Sequence, residues 1–183
     1  MFVIDSATAL RVLREDDAAE LFALTDSNRE YLRRWLPWVD LVTSEDDSQS
    51  FLATIAAQRA EGRGPTFGIL CDGALVGVVG YLPTDRVNRI GEIGYWLAPP
   101  AQRRGVMTQC CRFVVRYGFL TLDLNRIQIA AGTENHESRA VPERLGFKFE
   151  GILRGRENLY GTFIDHAMYS LLRSDFDAAG EYK

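Results

Sequence analysis

At 183 residues, 46% hydrophobic and 11% aromatic, the chain is long enough to bury a full core, and residues 1–183 read as one globular domain. Charged residues make up 25% and the net charge is −4, which excludes a general nucleic-acid footprint and a polybasic membrane patch, so any anion site must be local. Three cysteines, Cys71 and the adjacent Cys110 and Cys111, give neither a disulfide framework nor a zinc spacing; with no leader pattern and no long apolar run, the expectation is a soluble protein of the reducing cytoplasm.

In chain order, ALRVL (Ala9 to Leu13) predicts a short strand, and EDDAAELFALTD after it carries Ala18, Leu21 and Phe22 at helical spacing. SNREYLRRWLPWVD predicts a second short helix that ends near Pro37, and SEDDSQSFLATIAAQRAEG a third, from a Ser44 cap to Gly62. The texture then turns to strand. TFGILCDGALVGVVGYLP reads as two β runs joined by Asp72-Gly73, the favoured two-residue hairpin turn, and RIGEIGYWLA supplies the next strand of an antiparallel meander. A helix from Met107 to about Leu120, the strand NRIQIAAG, a helix from about Asn135 to Leu145 and a β pair turning at Tyr160-Gly161 complete the order.

The stretch WLAPPAQRRGVMTQCC (Trp96 to Cys111) is where this order points to chemistry. The strands on either side of the helix that begins there are joined by a crossover, so they should be parallel neighbours, and ligands in such sheets sit beyond the carboxyl ends of the strands. Pro99 and Pro100 have no N–H to give a ladder and force a turn. From Gln102 to Thr108 follows a bend whose N–H groups, belonging to a helix's first turn, have no carbonyl partners. Those donors, the helix dipole, Arg103 and Arg104 favour a phosphate-bearing ligand, and Gly105 has no side chain to block its approach. No Gly-Lys-Ser/Thr loop and no G-x-G-x-x-G opening a βαβ unit is present, so nothing supports a nucleotide triphosphatase or a dinucleotide enzyme.

EIGYWLAPPAQRRGVMTQCC followed by LNRIQIAAGTENHESRAVPERLGFKFEGILR resembles the GNAT acetyltransferases, in particular the RimJ/RimL branch that acetylates N-terminal amines of ribosomal proteins. The resemblance runs from about Leu10 to Phe176. Gln102-x-x-Gly105-x-Met107 is similar to the pyrophosphate motif Q/R-x-x-G-x-G/A, with Met107 in place of the last small residue; Asn135-x-x-Ser138, ERLGF and DHAMYSLLR carry the branch. It implies an α+β fold: a mixed, mostly antiparallel central sheet with a splayed parallel strand pair and flanking helices. It implies acetyl-CoA as cosubstrate and no metal. By the same resemblance, backbone groups around Arg103, Arg104, Gly105, Met107 and Thr108 hold the pyrophosphate, with the Thr108 hydroxyl in support. Backbone near Trp96 and Leu97 pairs with the pantetheine arm, Asn135 holds the arm from the other side, and Ser138 protonates the departing sulfur. Ser138 also reads as a plain helix cap, and Pro142 inside that helix leaves the Ser138 carbonyl without its partner.

The implied reaction is direct transfer from acetyl-CoA to a primary amine. Glu157 matches the position of the proposed base in RimL-like enzymes; Glu92 lies on the strand at the cleft, where other branches keep theirs. Both also read as surface ion-pair partners, Glu157 beside Arg154 and Arg156 above all. Cys110 and Cys111 fall on an apolar helix and read as core, and His136, His166 and Asp165 have no zinc spacing. Trp35 and Trp38, around Pro37, are either core or the acceptor groove. The leading acceptor is a protein or peptide N-terminus. Against it stand a small amine (an aminoacyl compound, amino sugar or polyamine) and a non-catalytic acyl-CoA-binding module. A homodimer is compatible; direct partnership with nucleic acid or membrane is not expected.

Overall fold

The computed structural model describes residues 1–179. The last residues of the 1–183 span lie outside the described residues. Among the described residues eight strands form one sheet in the order β1-β2-β3-β4-β5-β6-β8-β7. Strand β1 (Phe2–Val3) edges β2 (Thr8–Val12), and β3 (Thr66–Cys71), β4 (Ala74–Tyr81) and β5 (Ile90–Leu97) make the expected meander. Strands β6 (Arg126–Gly132), β7 (Lys148–Leu159) and β8 (Thr162–Leu172) complete it. All neighbours are antiparallel except β5 and β6, which are parallel. Both hairpin turns fall where the sequence puts them. Positive φ at Asp72 (50°) with Gly73 (84°), and at Tyr160 (53°) with Gly161 (91°), gives the twist that matches right-handed strands.

Helices α1 (Ala18–Ser27), α2 (Arg29–Leu32) and α3 (Glu45–Ala60) occupy the first third. Helical hydrogen bonding runs on past α2 to Leu36, whose N–H reaches the Leu32 carbonyl at 3.0 Å, and stops at Pro37, which has no N–H to continue it. The start of α3 is fixed by Asp47, whose carboxylate takes the N–H groups of Thr43 and Ser44 at 2.8 and 2.9 Å. Helix α4 (Val106–Leu120) and α5 (His136–Arg144) follow β5 and β6. The first predicted strand begins one residue early, at Thr8, and two elements too short to show a period, β1 and the final α6 (Arg173–Ala179), are additions.

The sheet is covered on both faces, which is why β3 is buried along its whole length instead of alternating. On one face α4 presents Cys110, Cys111, Val114, Val115 and Phe119, all fully buried, to Phe67, Ile69, Val79 and Ile127. On the other, Leu21 of α1 and Leu52 and Ile55 of α3 close over Leu70, Leu75 and Val78. No helix of the described residues is long and apolar enough to cross a membrane.

Candidate active site

The parallel pair β5 and β6 stays together for only three register positions, Ile90↔Arg126, Gly91↔Ile127 and Glu92↔Gln128. Beyond them each strand follows its other neighbour, β5 to Leu97 beside β4 and β6 to Gly132 beside β8. The sheet therefore opens at the carboxyl ends of these strands. The Gln128 amide closes the apex of the opening by donating to Glu92 at 2.8 Å.

On one side of the gap the chain leaving β5 makes a tight turn over Pro99–Ala101 and then the predicted bend. Arg103 (φ 59°) and Gly105 (φ 78°) both adopt the left-handed conformation, so the backbone curls around Arg104 in the manner of an anion-binding nest. Among the described residues no hydrogen-bond partner takes the N–H groups of Arg103, Arg104, Val106, Met107 or Thr108, and the first bond into α4 is Gln109 N–H to Gly105. A Cβ added at Gly105 would meet nothing within 4 Å, so the glycine serves the positive φ and leaves its open side to whatever the bend holds. The Gln102 side chain is internal to the loop: its amide donates to the Leu97 carbonyl at 2.8 Å and to the Tyr31 hydroxyl at 2.9 Å. The cleft beside this bend, of about 480 Å³, is lined by Leu97, Arg103, Gly105, Met107 and Thr108, and by Glu137, Ser138 and Arg144 from α5.

Two expected residues, Arg104 and Asn135, lie outside the cleft, and the side chain of a third, Arg103, is paired across it. Arg104 does not line the cleft; its charge lies near Asp5. The Arg103 guanidinium crosses to Glu137 at 2.9 Å, so its charge is already engaged. Asn135 lines neither cavity, because its side-chain oxygen accepts the Ser138 N–H at 3.1 Å and caps α5. That cap frees Ser138 from the capping role, and its hydroxyl instead donates to the Tyr95 oxygen at 3.3 Å. The Tyr95 hydroxyl in turn donates to the Ser138 carbonyl at 2.9 Å. The oxygen that Pro142 orphans is thus satisfied across the gap from β5. Burial drives the Tyr95 pKa far above the ordinary phenol value, so the group remains a donor at any working pH.

Past Tyr95 and Ser138 lies a second cavity, of about 770 Å³. Tyr95 and Ser138 belong to the walls of both. Trp35 and Trp38 are half-buried on its wall, outside the core; Trp38 packs on Trp96 of β5 with ring centroids 6.3 Å apart. The loop that carries the two tryptophans is held by Arg29, which donates to the carbonyls of Val39 and Val42 at 2.6 Å each, and by Tyr160, whose hydroxyl donates to the Leu36 carbonyl at 2.6 Å. Trp96 therefore turns its side chain into this second cavity, and only Leu97 of the expected pair lines the cleft. Glu92 and Glu157 both reach the second cavity. Glu157 is not paired with Arg154 or Arg156: its carboxylate stands 3.4 Å from Nε2 of His166.

A family model described as an acetyltransferase (GNAT) domain matches residues 8–148. The chain belongs to the GNAT acetyltransferase family. It is 36% identical to the candidate ribosomal N-acetyltransferase YdaF of Bacillus subtilis, over 95% of this chain and 96% of the relative. It is 26% identical to the ribosomal-protein-serine acetyltransferase of Escherichia coli, over 91% of this chain and 93% of that protein. The solved RimL ribosomal L7/L12 alpha-N-protein acetyltransferase, in complex with coenzyme A, superposes with a TM-score of 0.89 at 26% identity, covering 95% of this chain and 98% of that one. The chain is thus an acetyl-CoA-dependent N-acetyltransferase of the RimJ/RimL type with the mixed, mostly antiparallel GNAT sheet.

The helix-start cleft suits that cosubstrate chemically: unmatched N–H donors and the positive end of α4 face a space where a pyrophosphate would need both. Within this GNAT chain, Cys110 and Cys111 are no nucleophiles. Burial pushes the Cys110 thiol up to about 12 and that of Cys111 well above its ordinary value, so neither is a thiolate at neutral pH. Sequence reasoning passed over Tyr95 and set His166 aside with the search for zinc. The signal for Tyr95 was present in two halves, a phenol on an apolar strand that needs a partner and a carbonyl orphaned by Pro142, lying 43 positions apart. His166 gave none.

Proposed function

We propose that this enzyme acetylates the N-terminal α-amine of a protein or peptide, by direct transfer at the wall the two cavities share. The observation that carries the reading is that shared wall: Tyr95 and Ser138 line both the helix-start cleft and the aromatic cavity, so a thioester in the first and an amine in the second meet there without an enzyme-bound intermediate. The bend at Arg103 to Thr108 holds the pyrophosphate through backbone N–H groups, and β5 beyond the apex offers its free edge to the pantetheine arm. Ser138 donates to the departing sulfur, while Tyr95 fixes Ser138 from below. Glu157 relays the amine proton; Glu92 is committed to Gln128 and helps shape the apex.

The bases present suit an α-amine. At a pKa of about 7.7–8.0 roughly a tenth of it is already neutral at pH 7, whereas a lysine at about 10.4 is neutral in fewer than about one molecule in a thousand, so the α-amine asks less of its base. The size of the aromatic cavity, which runs from Trp35 to Phe51 and Gln58, also suits a chain end better than a lone small amine. The relatives named for ribosomal substrates support the same reading. A panel of peptides with different N-terminal residues, set beside polyamines, amino sugars and aminoacyl compounds, tests it by free-thiol release and by mass spectrometry of the product. The expected result is acetyl on the peptide α-amine. Turnover confined to the small amines overturns the acceptor assignment, and acetyl-CoA binding with no turnover on any amine overturns the transfer itself.

A further inference from the structure

His166 sits on β8 opposite Gly132 of β6 and Leu153 of β7, with its side chain 13% exposed and its ring in the wall of the aromatic cavity. Its Nε2 is the one buried side-chain polar atom without a hydrogen-bond partner among the described residues. Such an atom is costly to keep unless something uses it. Its nearest opposite is Glu157 Oε2, 3.4 Å away, which is a short step from hydrogen-bond distance. The other ionisable groups that face the cavity are Arg156 of β7, Glu92 and Tyr95 of β5, Asp47 of α3 and Tyr81 of β4, whose hydroxyl donates to the Val114 carbonyl at 2.9 Å. Glu92 is engaged by Gln128, Asp47 by Thr43 and Ser44, and Tyr95 by Ser138. Asp165, the neighbour on β8, accepts from the Gly155 N–H at 2.7 Å. Glu157 and His166 are left to each other.

We propose that His166 stores the proton Glu157 takes from the acceptor amine, so that the base of this acetyltransferase is a carboxylate–imidazole pair. The inference rests on the transfer reading above and goes beyond it in assigning His166. As the amine nitrogen forms its bond to the thioester carbon, its surplus proton leaves to Glu157; the C–S bond then breaks, and the thiolate takes a proton from the Ser138 hydroxyl, which regains one from solvent through the cleft. Glu157 hands its proton to Nε2, restoring the carboxylate beside an imidazolium that it stabilises, and the proton leaves to solvent with the product. The pair answers a weakness of a lone carboxylate. An imidazole is the stronger base of the two kinds of group and holds a proton more firmly than a carboxylate does. His166 acts through Glu157 and is a positioning and relay residue.

The test is a cycle of His166→Gln, Glu157→Gln and the double variant, with kcat read at pH 6.5 and pH 9 on whichever amine the wild type acetylates, or on free-thiol release to water should it accept none. His166→Asn repeats the cycle with a smaller side chain, and calorimetry of acetyl-CoA binding certifies that each variant is folded. The expected result is a loss of roughly tenfold to hundredfold in kcat for His166→Gln at pH 6.5, a double variant within about twofold of Glu157→Gln, and deficits that narrow at pH 9, where the amine supplies its own neutral form. Multiplicative effects of the two substitutions, a deficit equal at both pH values, or wild-type turnover in folded His166 variants overturns the proposal. Wild-type enzyme that ignores peptides but acetylates a small amine defeats only the acceptor reading, and the cycle is then run on that amine.

Discussion

The helix-start cleft takes its wall mainly from one continuous stretch, Leu97 to Gln109, and what it offers is backbone N–H; the aromatic cavity across Tyr95 is assembled from α1, α3, α5, the strands β3 to β8 and the loop after α2. A backbone cradle tolerates a change of side chain so long as its φ values survive; of its two arginines, Arg103 is paired across the cleft with Glu137 and Arg104 lies outside the cleft. A cavity of side chains has no such tolerance, and its chemistry changes with each residue. The family's common cosubstrate and its varied acceptors fit that division: the invariant task falls to the backbone and the variable one to side chains.

The comparison is broken most sharply at the boundary. Ser138→Ala removes the hydroxyl at the shared wall and leaves the Asn135 cap in place, so kcat should fall roughly tenfold to a thousandfold with little change in either KM. A change confined to one KM would place Ser138 inside one cavity and not between them. Next in size is the cradle itself. Gly105→Trp forces a bulky side chain onto a positive φ and into the open side of the bend, and calorimetry should show acetyl-CoA affinity lower by at least about tenfold, while Arg103→Ala and Arg104→Ala stay within about threefold. Arginine effects larger than the glycine effect would mean that charge, not backbone, holds the phosphates.

On the acceptor side, Trp35→Ala or Trp38→Ala should raise the acceptor KM by about threefold to tenfold with acetyl-CoA binding unchanged. Altered acetyl-CoA affinity in those variants would erase the division between the regions. The smallest effect lies outside both. Glu150, the extra residue at the irregularity between Phe149 and Gly151 of β7, is bonded by Arg126 and Ser170, which pull its carboxyl down to about 2. A depressed folded pKa contributes stability above the ordinary carboxyl range, lost as pH falls from about 4.5 toward about 2. Thermal melts of Glu150→Gln should therefore sit slightly below the wild type at pH 7 and converge with it near pH 2; because the side chain is 40% exposed the gap should be small, and a gap that persists in acid would trace to packing.

The two regions also differ in how far the sequence discloses them. The bend could be read directly because the prolines, the arginines and Gly105 are adjacent, and a strand end followed by a helix start leaves N–H groups free there, for a ligand or for solvent. What local reading missed there was side-chain commitment: Gln102 turned inward to Leu97, Arg104 turned away, Asn135 spent on its cap. The aromatic cavity gave only its tryptophans and its two carboxylates. Whether Glu92 faced it depended on which face of β5 meets α3, and that is fixed by pairing with β4 rather than by β5's own alternation. His166 was invisible because its meaning comes from the register of β7 on β8, where irregularities between Leu153 and Glu157 bring the carboxylate to the ring.

The central claim is that the cleft and the cavity are two halves of one site, joined at Tyr95 and Ser138. A conjugate with a peptide N-terminus joined through an acetyl bridge to the sulfur of coenzyme A spans both halves, and calorimetry of its binding reads the junction directly. Such a conjugate should bind at least about a hundredfold more tightly than coenzyme A alone, and the advantage should shrink in Trp35→Ala but not in Arg104→Ala. An affinity equal to that of coenzyme A would mean that the peptide half finds no seat beyond Ser138, and that the two cavities do not serve one reaction.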